Sequence, residues 1–296
     1  MSNHSSNYPF AFLFSALLLF VSCHTSPTRK SNQTGSFRAA SYNIRIDAKA
    51  DIESGNGWDI RKYPLAELIA RHKFDIVGTQ EGTTKQLEEL KQLLPVFDFV
   101  AHPYGGPQGT SHNCATYYNS EKFKVIETGV FWFSETPDTP SIGWDASDQR
   151  ICQWIKFAVN ETKKQFYFFN GHFYWRNHVA KENSGPLLVR KIDDIAGQSP
   201  VIAVGDYNSE PHTKQVLAIK ERLSDTYDVT ISERMGPEGT SFSGGVFEGE
   251  PKWRIDYIFI SRHFTAKDYL VLDDKYNNKK YPSDHLPVTS LLLWNK

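Results

Sequence analysis

The sequence predicts an α+β fold of layers stacked around large β-sheets, and three observations carry that prediction. Apolar segments rich in β-branched and aromatic residues recur along the chain at strand lengths. Stretches with helical periodicity fall between some of them. Polar and ionisable residues follow directly on several apolar runs, where strands would end and deliver side chains to a rim. A chain of 296 residues can enclose one such core or two smaller ones. No Pro/Ser-rich linker divides it after residue 36, so a single domain is expected over residues 37–296.

In chain order the strand-like segments are 37–46, 74–79, 115–118, 123–133, 151–159, 165–173, 200–204, 255–260 and 287–293. Val201-Ile202-Ala203-Val204 reads as a strand buried on both faces. Three stretches read as helices. Leu65, Leu68, Ile69 and His72 recur at 3.6-residue spacing after Pro64, which a first helical turn accommodates. Thr83, with Gln86 three residues later, forms a capping box ahead of Leu87, Leu90 and Leu94, so a helix should begin just after Glu81. A third helical pattern covers 179–195, with Gly185-Pro186 expected to kink or restart it.

Ahead of the domain, residues 9–21 form an almost unbroken apolar run, short for a mature transmembrane helix and suited to the core of a signal peptide. Val21-Ser22-Cys23 follows and resembles the lipobox of bacterial lipoproteins, with Cys23 as the lipidated residue. Residues 1–22 are therefore read as a signal peptide and 23–36 as a flexible tether. The expectation is an exported monomer anchored to a bacterial membrane, facing the periplasm or cell surface, with lipid at Cys23 as its one membrane contact. Cys114 and Cys152 are expected to be buried free thiols, since a single pair is no disulfide framework.

Lysine plus arginine number 33 against 34 aspartate plus glutamate, a formal net charge of −1. No global positive field draws in a nucleic acid, so a polyanionic substrate must be bound locally. This argues against a processive duplex-DNA nuclease. Lys275, Lys279 and Lys280, ahead of Ser283, form either a phosphate-attracting rim or a solvated loop. Trp253, Tyr281, Tyr207, Tyr174 and Trp175 lie beside candidate site residues and could stack bases. Aromatics make up 14% of the chain, and at least half of these five are expected to be packing.

The chemistry-bearing residues come in short groups. Gln80-Glu81 follows Ile76-Val77-Gly78, Asn170-Gly171-His172 follows Phe166-Tyr167-Phe168-Phe169, and Gly205-Asp206-Tyr207-Asn208 follows the buried strand. Ile255-Asp256-Tyr257 and Ser283-Asp284-His285 complete the set. The last is no serine triad, because adjacent residues of an extended segment face opposite ways.

Together with Ser41-Tyr42-Asn43-Ile44-Arg45, these groups stand in the order of the motifs of the endonuclease/exonuclease/phosphatase superfamily, which the chain resembles over nearly all of residues 37–296. The resemblance implies a DNase-like four-layer α/β/β/α sandwich, two mixed β-sheets flanked by helices, with the site in a cleft at one edge of the paired sheets. It also implies a hydrolase of phosphate esters dependent on magnesium or manganese. Glu81, helped by Asn43, would hold the cation through oxygen, and Asp284 could complete the metal region. Asp206 and Asn208 would orient the attacking water and contact a phosphate oxygen. His285, oriented by Asp256, would act as base or phosphate stabiliser, and His172 would assist leaving-group protonation or charge stabilisation. Arg150 matches a position where bacterial members carry a basic residue, a further phosphate contact.

Two departures bear on substrate. Phe173-Tyr174-Trp175 follows His172 where many members have Leu-Asp, and Asn113 to Tyr118 is more similar to the deadenylase branch. The leading expectation is a phosphodiesterase acting on RNA, DNA or nucleotide. A phosphatase or phospholipase C-like hydrolase of sugar phosphates or lipid headgroups is the alternative, and a catalytically inactive surface binding module is the alternative of another class.

Overall fold

The computed structural model describes residues 1–4, 35–107, 112–277 and 279–295. The apolar run 9–21 and Cys23 lie outside these residues, and with them the signal-peptide and lipid-anchor expectations. Residues 34–296 make up one unit. Its elements are β1 (Ser36–Asn43), α1 (Lys49–Glu53), α2 (Trp58–Arg71), β2 (Ile76–Gly82), α3 (Thr84–Leu93), β3 (Phe97–Pro103), β4 (Asn113–Asn119), β5 (Phe123–Trp132), β6 (Ile151–Val159) and β7 (Gln165–His172). There follow α4 (His178–Ala196), β8 (Val201–Asp206), α5 (Lys214–Lys220), β9 (Ser224–Asp225), α6 (Thr226–Val229), β10 (Arg234–Met235), β11 (Asp256–Ile260), β12 (Phe264–Ala266), β13 (Tyr269–Val271) and β14 (Val288–Trp294).

Two mixed sheets result. One has eight strands in the order β10-β13-β14-β1-β2-β4-β3, with β12 also paired to β14; the other has six, β5-β6-β7-β8-β11-β9. Side chains alternate between faces along a strand, and here both faces are covered. Phe37, Ala39, Ile76, Phe166, Phe168, Ile202, Val204 and Ile258 meet between the sheets. Their outward-facing neighbours Ala40, Tyr42 and Val77 pack with Leu65 and Leu68 of α2 and Leu87 and Leu90 of α3. On the other sheet, Tyr167, Phe169, Val201 and Ala203 pack with Leu187, Leu188 and Ile192 of α4 and Val216 and Ile219 of α5. The outcome is the four-layer α/β/β/α sandwich, and burial on both faces explains why these strands read as continuous apolar runs.

All nine strand-like segments become strands, and the capping box forms as read: Thr83 Oγ1 accepts the Gln86 N–H at 3.2 Å and Gln86 Oε1 accepts the Thr83 N–H at 3.0 Å. Two helices differ from their expected extents. The helix carrying Pro64 begins at Trp58, so the proline is interior rather than in the first turn. Its start is fixed instead by Asp47, whose Oδ1 accepts the Trp58 N–H at 2.9 Å.

The helix α4 runs unbroken through Gly185-Pro186, since packing of Leu187, Leu188 and Ile192 outweighs the lost backbone hydrogen bond. Gly185 has a packing role. A Cβ there would sit 2.2 Å from the Gln215 carbonyl oxygen and 2.6 Å from Gln215 Cα, so only glycine lets the α4 and α5 backbones touch. Gly185→Ala is therefore expected to lower stability by about 1–3 kcal/mol, seen as a lower denaturation midpoint. An unchanged midpoint would mean that the two helices separate freely.

Candidate active site

At one end of the sandwich the inward-facing rows change from apolar to polar. Phe37 and Ala39 of β1 give way to Ser41 and Asn43, and Phe166 and Phe168 of β7 give way to Asn170 and His172. Ile202 and Val204 of β8 lead to Asp206, and Ile260 and Ile258 of β11 lead back to Asp256. Register aligns them: His172 lies opposite Asp206, which lies opposite Asp256, while Asn43 lies opposite Gln80. The sheets are tied behind these groups by Gln80 Nε2 donating to Asn170 Oδ1 at 2.7 Å. Gly78 permits that approach, because a Cβ there would be 2.5 Å from Val204 Cγ2 and 2.8 Å from Asn170 Cγ.

Glu81 is aimed by a bulge. The pairing of β2 with β4 shifts register between Thr79 and Gly82, and Glu81 has a φ of 69°. Arg45 (φ 56°) and Asn208 (φ 46°), which line the same pocket, are also left-handed. Such conformations are sparsely populated for residues other than glycine and gather at ligand sites.

The convergence is tight. Asn43 Nδ2 donates to Glu81 Oε1 and to Asp206 Oδ2, both at 3.0 Å, while its Oδ1 accepts the Arg45 N–H at 3.0 Å. His285 Nδ1 lies 2.9 Å from Asp256 Oδ2, which also accepts from Thr240 Oγ1 at 2.7 Å. That bond places the Nδ1 proton against Asp256 and turns Nε2 to the cleft, 3.3 Å from Ser241 Oγ and 3.8 Å from Asp206 Oδ2. Burial works to lower the His285 pKa, but Asp256 and Asp206 outweigh it and raise it well above the usual histidine value.

His172 is the opposite case. Tyr104 accepts the Glu81 N–H at 3.2 Å, and its hydroxyl lies 2.7 Å from His172 Nδ1. The imidazole Nε2 lies 3.2 Å from Asn208 Nδ2 and 3.4 Å from Asp206 Oδ2. Burial, followed by the nearby Arg150 guanidinium, pulls its pKa well below the usual value and keeps it neutral. Arg150 Nη1 is 3.4 Å from His172 Nδ1, and the rings of Tyr104 and Tyr174 flank the guanidinium at 5.7 and 5.9 Å.

Glu81, His172 and Asp206 each present a ligand atom within 4.8 Å of the others, as do Asp206, Asp256 and His285. Burial, with Asp256 adding to it, pushes the Asp206 carboxyl up to about 7, a charge short of compensation. The carboxylate oxygens of Glu81 and Asp206 fit a hard divalent cation, whereas Asn43 turns Nδ2 toward them and its Oδ1 to the Arg45 N–H. Asp284 stands apart from both groups: its Oδ2 accepts the Gly245 N–H at 2.8 Å and lies 3.5 Å from Arg45 Nη1.

Around these groups lies a pocket of about 970 Å³ that also takes in Arg150, Asn208 and Asp284. Of the five aromatics beside the motifs, Tyr174, Tyr207 and Tyr281 are buried, whereas Trp175 and Trp253 are exposed and line the pocket. Lys275, Lys279 and Lys280 are not among its lining residues. Cys114 and Cys152 are buried free thiols. Sequence reasoning missed Tyr104, Thr240 and Ser241. Tyr104 carries only the turn signal of the following Gly105-Gly106, and nothing local links it to a histidine 68 residues on. Arg45 sat unremarked inside a quoted motif.

Residues 40–285 match the Endonuclease/Exonuclease/phosphatase family. Among solved structures, the chain is similar to an endonuclease/exonuclease/phosphatase family protein of Bacteroides thetaiotaomicron, at 34% identity over 88% of this chain and 99% of that one, with a TM-score of 0.82. It is similar to a mannosyl-6-phosphatase of the same species at 33% identity over 87% of this chain and 100% of that one, with a TM-score of 0.81. An uncharacterized protein of Acanthamoeba polyphaga mimivirus is 28% identical over 244 residues, 78% of this chain and 90% of that one.

Proposed function

The chain belongs to the endonuclease/exonuclease/phosphatase family, and from that membership we propose that it is a divalent-cation-dependent hydrolase of phosphate monoesters carried on a sugar. The observation that favours this over the nucleic-acid reading is the charge of the pocket wall. Its cations are Arg45, Arg150, Lys181, Lys214 and the protonated His285, against Glu81, Glu182, Asp206, Glu210 and Asp284. Arg45 is already paired with Asp51 at 2.9 Å and Lys214 with Glu182 at 3.2 Å. A nucleic-acid strand is held along a basic groove that follows its backbone. Here Arg150, buried although 3.2 Å from Asp148, is one deep guanidinium and serves one phosphate. The likeness to a mannosyl-6-phosphatase supports the same substrate class.

Glu81 and Asp206, with Asn43 beside them, would hold magnesium or manganese. When bound, the cation stabilises negative charge on the phosphoryl and leaving oxygens. Arg150 and Asn208 bind phosphate oxygens, and His172 presents Nε2 beside them. Asp206 orients the attacking water. His285, held by Asp256 and Thr240, presents Nε2 to the phosphate as a donor.

The test is a substrate panel with magnesium, manganese or chelator. A hexose 6-phosphate and p-nitrophenyl phosphate should be cleaved at least about tenfold more efficiently than bis-p-nitrophenyl phosphate or oligoadenylate. Chelator should abolish the reaction. Hydrolysis indifferent to chelator would remove the cation, and preferential cleavage of oligoadenylate would restore the nuclease reading.

A further inference from the structure

Seven tryptophans occur in the chain. Trp58 and Trp132 are buried, Trp144, Trp154 and Trp294 are half-buried, and only Trp175 and Trp253 are exposed, at 49% and 39%. Both of those line the catalytic pocket. An indole presents a broad, rigid apolar face with one polar edge, and a pair of them left open at a site marks a surface that something flat covers.

Their attachment places them on either side of the chemistry. Trp175 lies three residues beyond His172, on the segment that leads into α4, with the Arg176 guanidinium 4.1 Å from its ring centroid. Trp253 pairs across an isolated bridge with Ser241, which in turn pairs with His285. One indole is thus carried from the His172 side and the other from the His285 side. The pocket, at about 970 Å³, is at the upper end of the roughly 300–1,000 Å³ that drug-sized ligands occupy. A hexose phosphate alone leaves much of it unfilled.

We propose that Trp175 and Trp253 form an aromatic subsite for a second sugar ring, so that the substrate is a phosphorylated oligosaccharide rather than a free hexose phosphate. The C–H face of a pyranose packs on an indole, and its hydroxyls need hydrogen-bonding partners around the edge. His178, Glu182, Glu210 and His212 line the same pocket and supply them. This inference rests on the sugar-phosphate reading above. A nucleobase would also stack on an indole, but the acid-balanced wall disfavours the polyanion that would bring it.

The experiment compares kcat/KM for a disaccharide bearing a terminal 6-phosphate, the matching hexose 6-phosphate and oligoadenylate, in wild type, Trp175→Ala, Trp253→Ala and the two Trp→Phe variants. Wild type should prefer the disaccharide phosphate by at least about tenfold, and each alanine variant should collapse that ratio through KM. Phenylalanine should restore most of it. Turnover of hexose 6-phosphate without preference for the disaccharide, or a preference that survives both alanine changes, would overturn the subsite and leave the sugar-phosphate reading standing. Turnover of neither sugar phosphate, or an alanine effect confined to oligoadenylate, would overturn both.

Discussion

Replacing His285 by alanine is expected to lower kcat on a phosphate monoester by about 10²–10⁴-fold, the range that positioned acid–base and proton-donating groups supply. The reason is geometric. His285 is held from behind by Asp256, 2.9 Å from Nδ1, and Asp256 is held by Thr240, so Nε2 has one direction to face, into the cleft beside Asp206. Loss of the ring removes that donor and leaves Asp256, fully buried, without its cationic neighbour. Asp256→Asn keeps the shape and an acceptor for Nδ1 but removes the negative charge that holds the ring protonated. Acting through one orienting chain, the two changes should be far from additive: the double variant should be little worse than His285→Ala alone. Steady-state kinetics with circular dichroism as a folding control decides it. Turnover by His285→Ala within a few-fold of wild type, or full additivity, would remove His285 from the role assigned to it.

Legibility in the sequence followed physical locality. Strands buried on both faces, such as Val201–Asp206, announce themselves because every residue is apolar until the site begins. The half-exposed strand Phe97–Pro103, with Asp98, His102 and Pro103 in it, carries no such run and was not seen. The carboxylates and imidazoles were legible because an acid closing an apolar strand is anomalous wherever it occurs. What holds them in place was not. Tyr104 acts on His172, Thr240 on Asp256 and Arg45 on Asp284 through contacts that exist only once the sheets are stacked. Pro64 and Gly185 misled for the same reason: local propensity argues for a helix boundary, and packing against a sheet or a neighbouring helix overrides it.

Arg61 is the strongest instance of this hidden support, and its replacement by methionine is expected to lower stability by about 3–5 kcal/mol, among the larger effects of a single substitution. The side chain is wholly buried and donates five hydrogen bonds, all to backbone carbonyls: Asn56 at 2.8 Å, Ile44 at 2.9 Å, Pro282 at 2.8 Å, Arg45 at 3.1 Å and Ile46 at 3.3 Å. Burial pulls its pKa down, with Asp284 opposing, and a guanidinium stays protonated regardless. Four of those carbonyls belong to the residues immediately after Asn43 or immediately before Ser283, whose own hydroxyl donates to the Asn43 carbonyl at 2.7 Å. One arginine on α2 therefore fixes the two loops that carry Asn43, Asp284 and His285. Lysine, with three donors on a single nitrogen, cannot meet five acceptors spread across two loops. Arg61→Lys should stay folded yet bind magnesium or manganese roughly 10–100-fold more weakly, as when outer-shell partners of a metal site are lost. Calorimetric titration on the folded variant separates that effect from simple destabilisation. Unchanged cation affinity in Arg61→Lys, or Arg61→Met within about 0.5 kcal/mol of wild type, would show that the loops hold their positions without it.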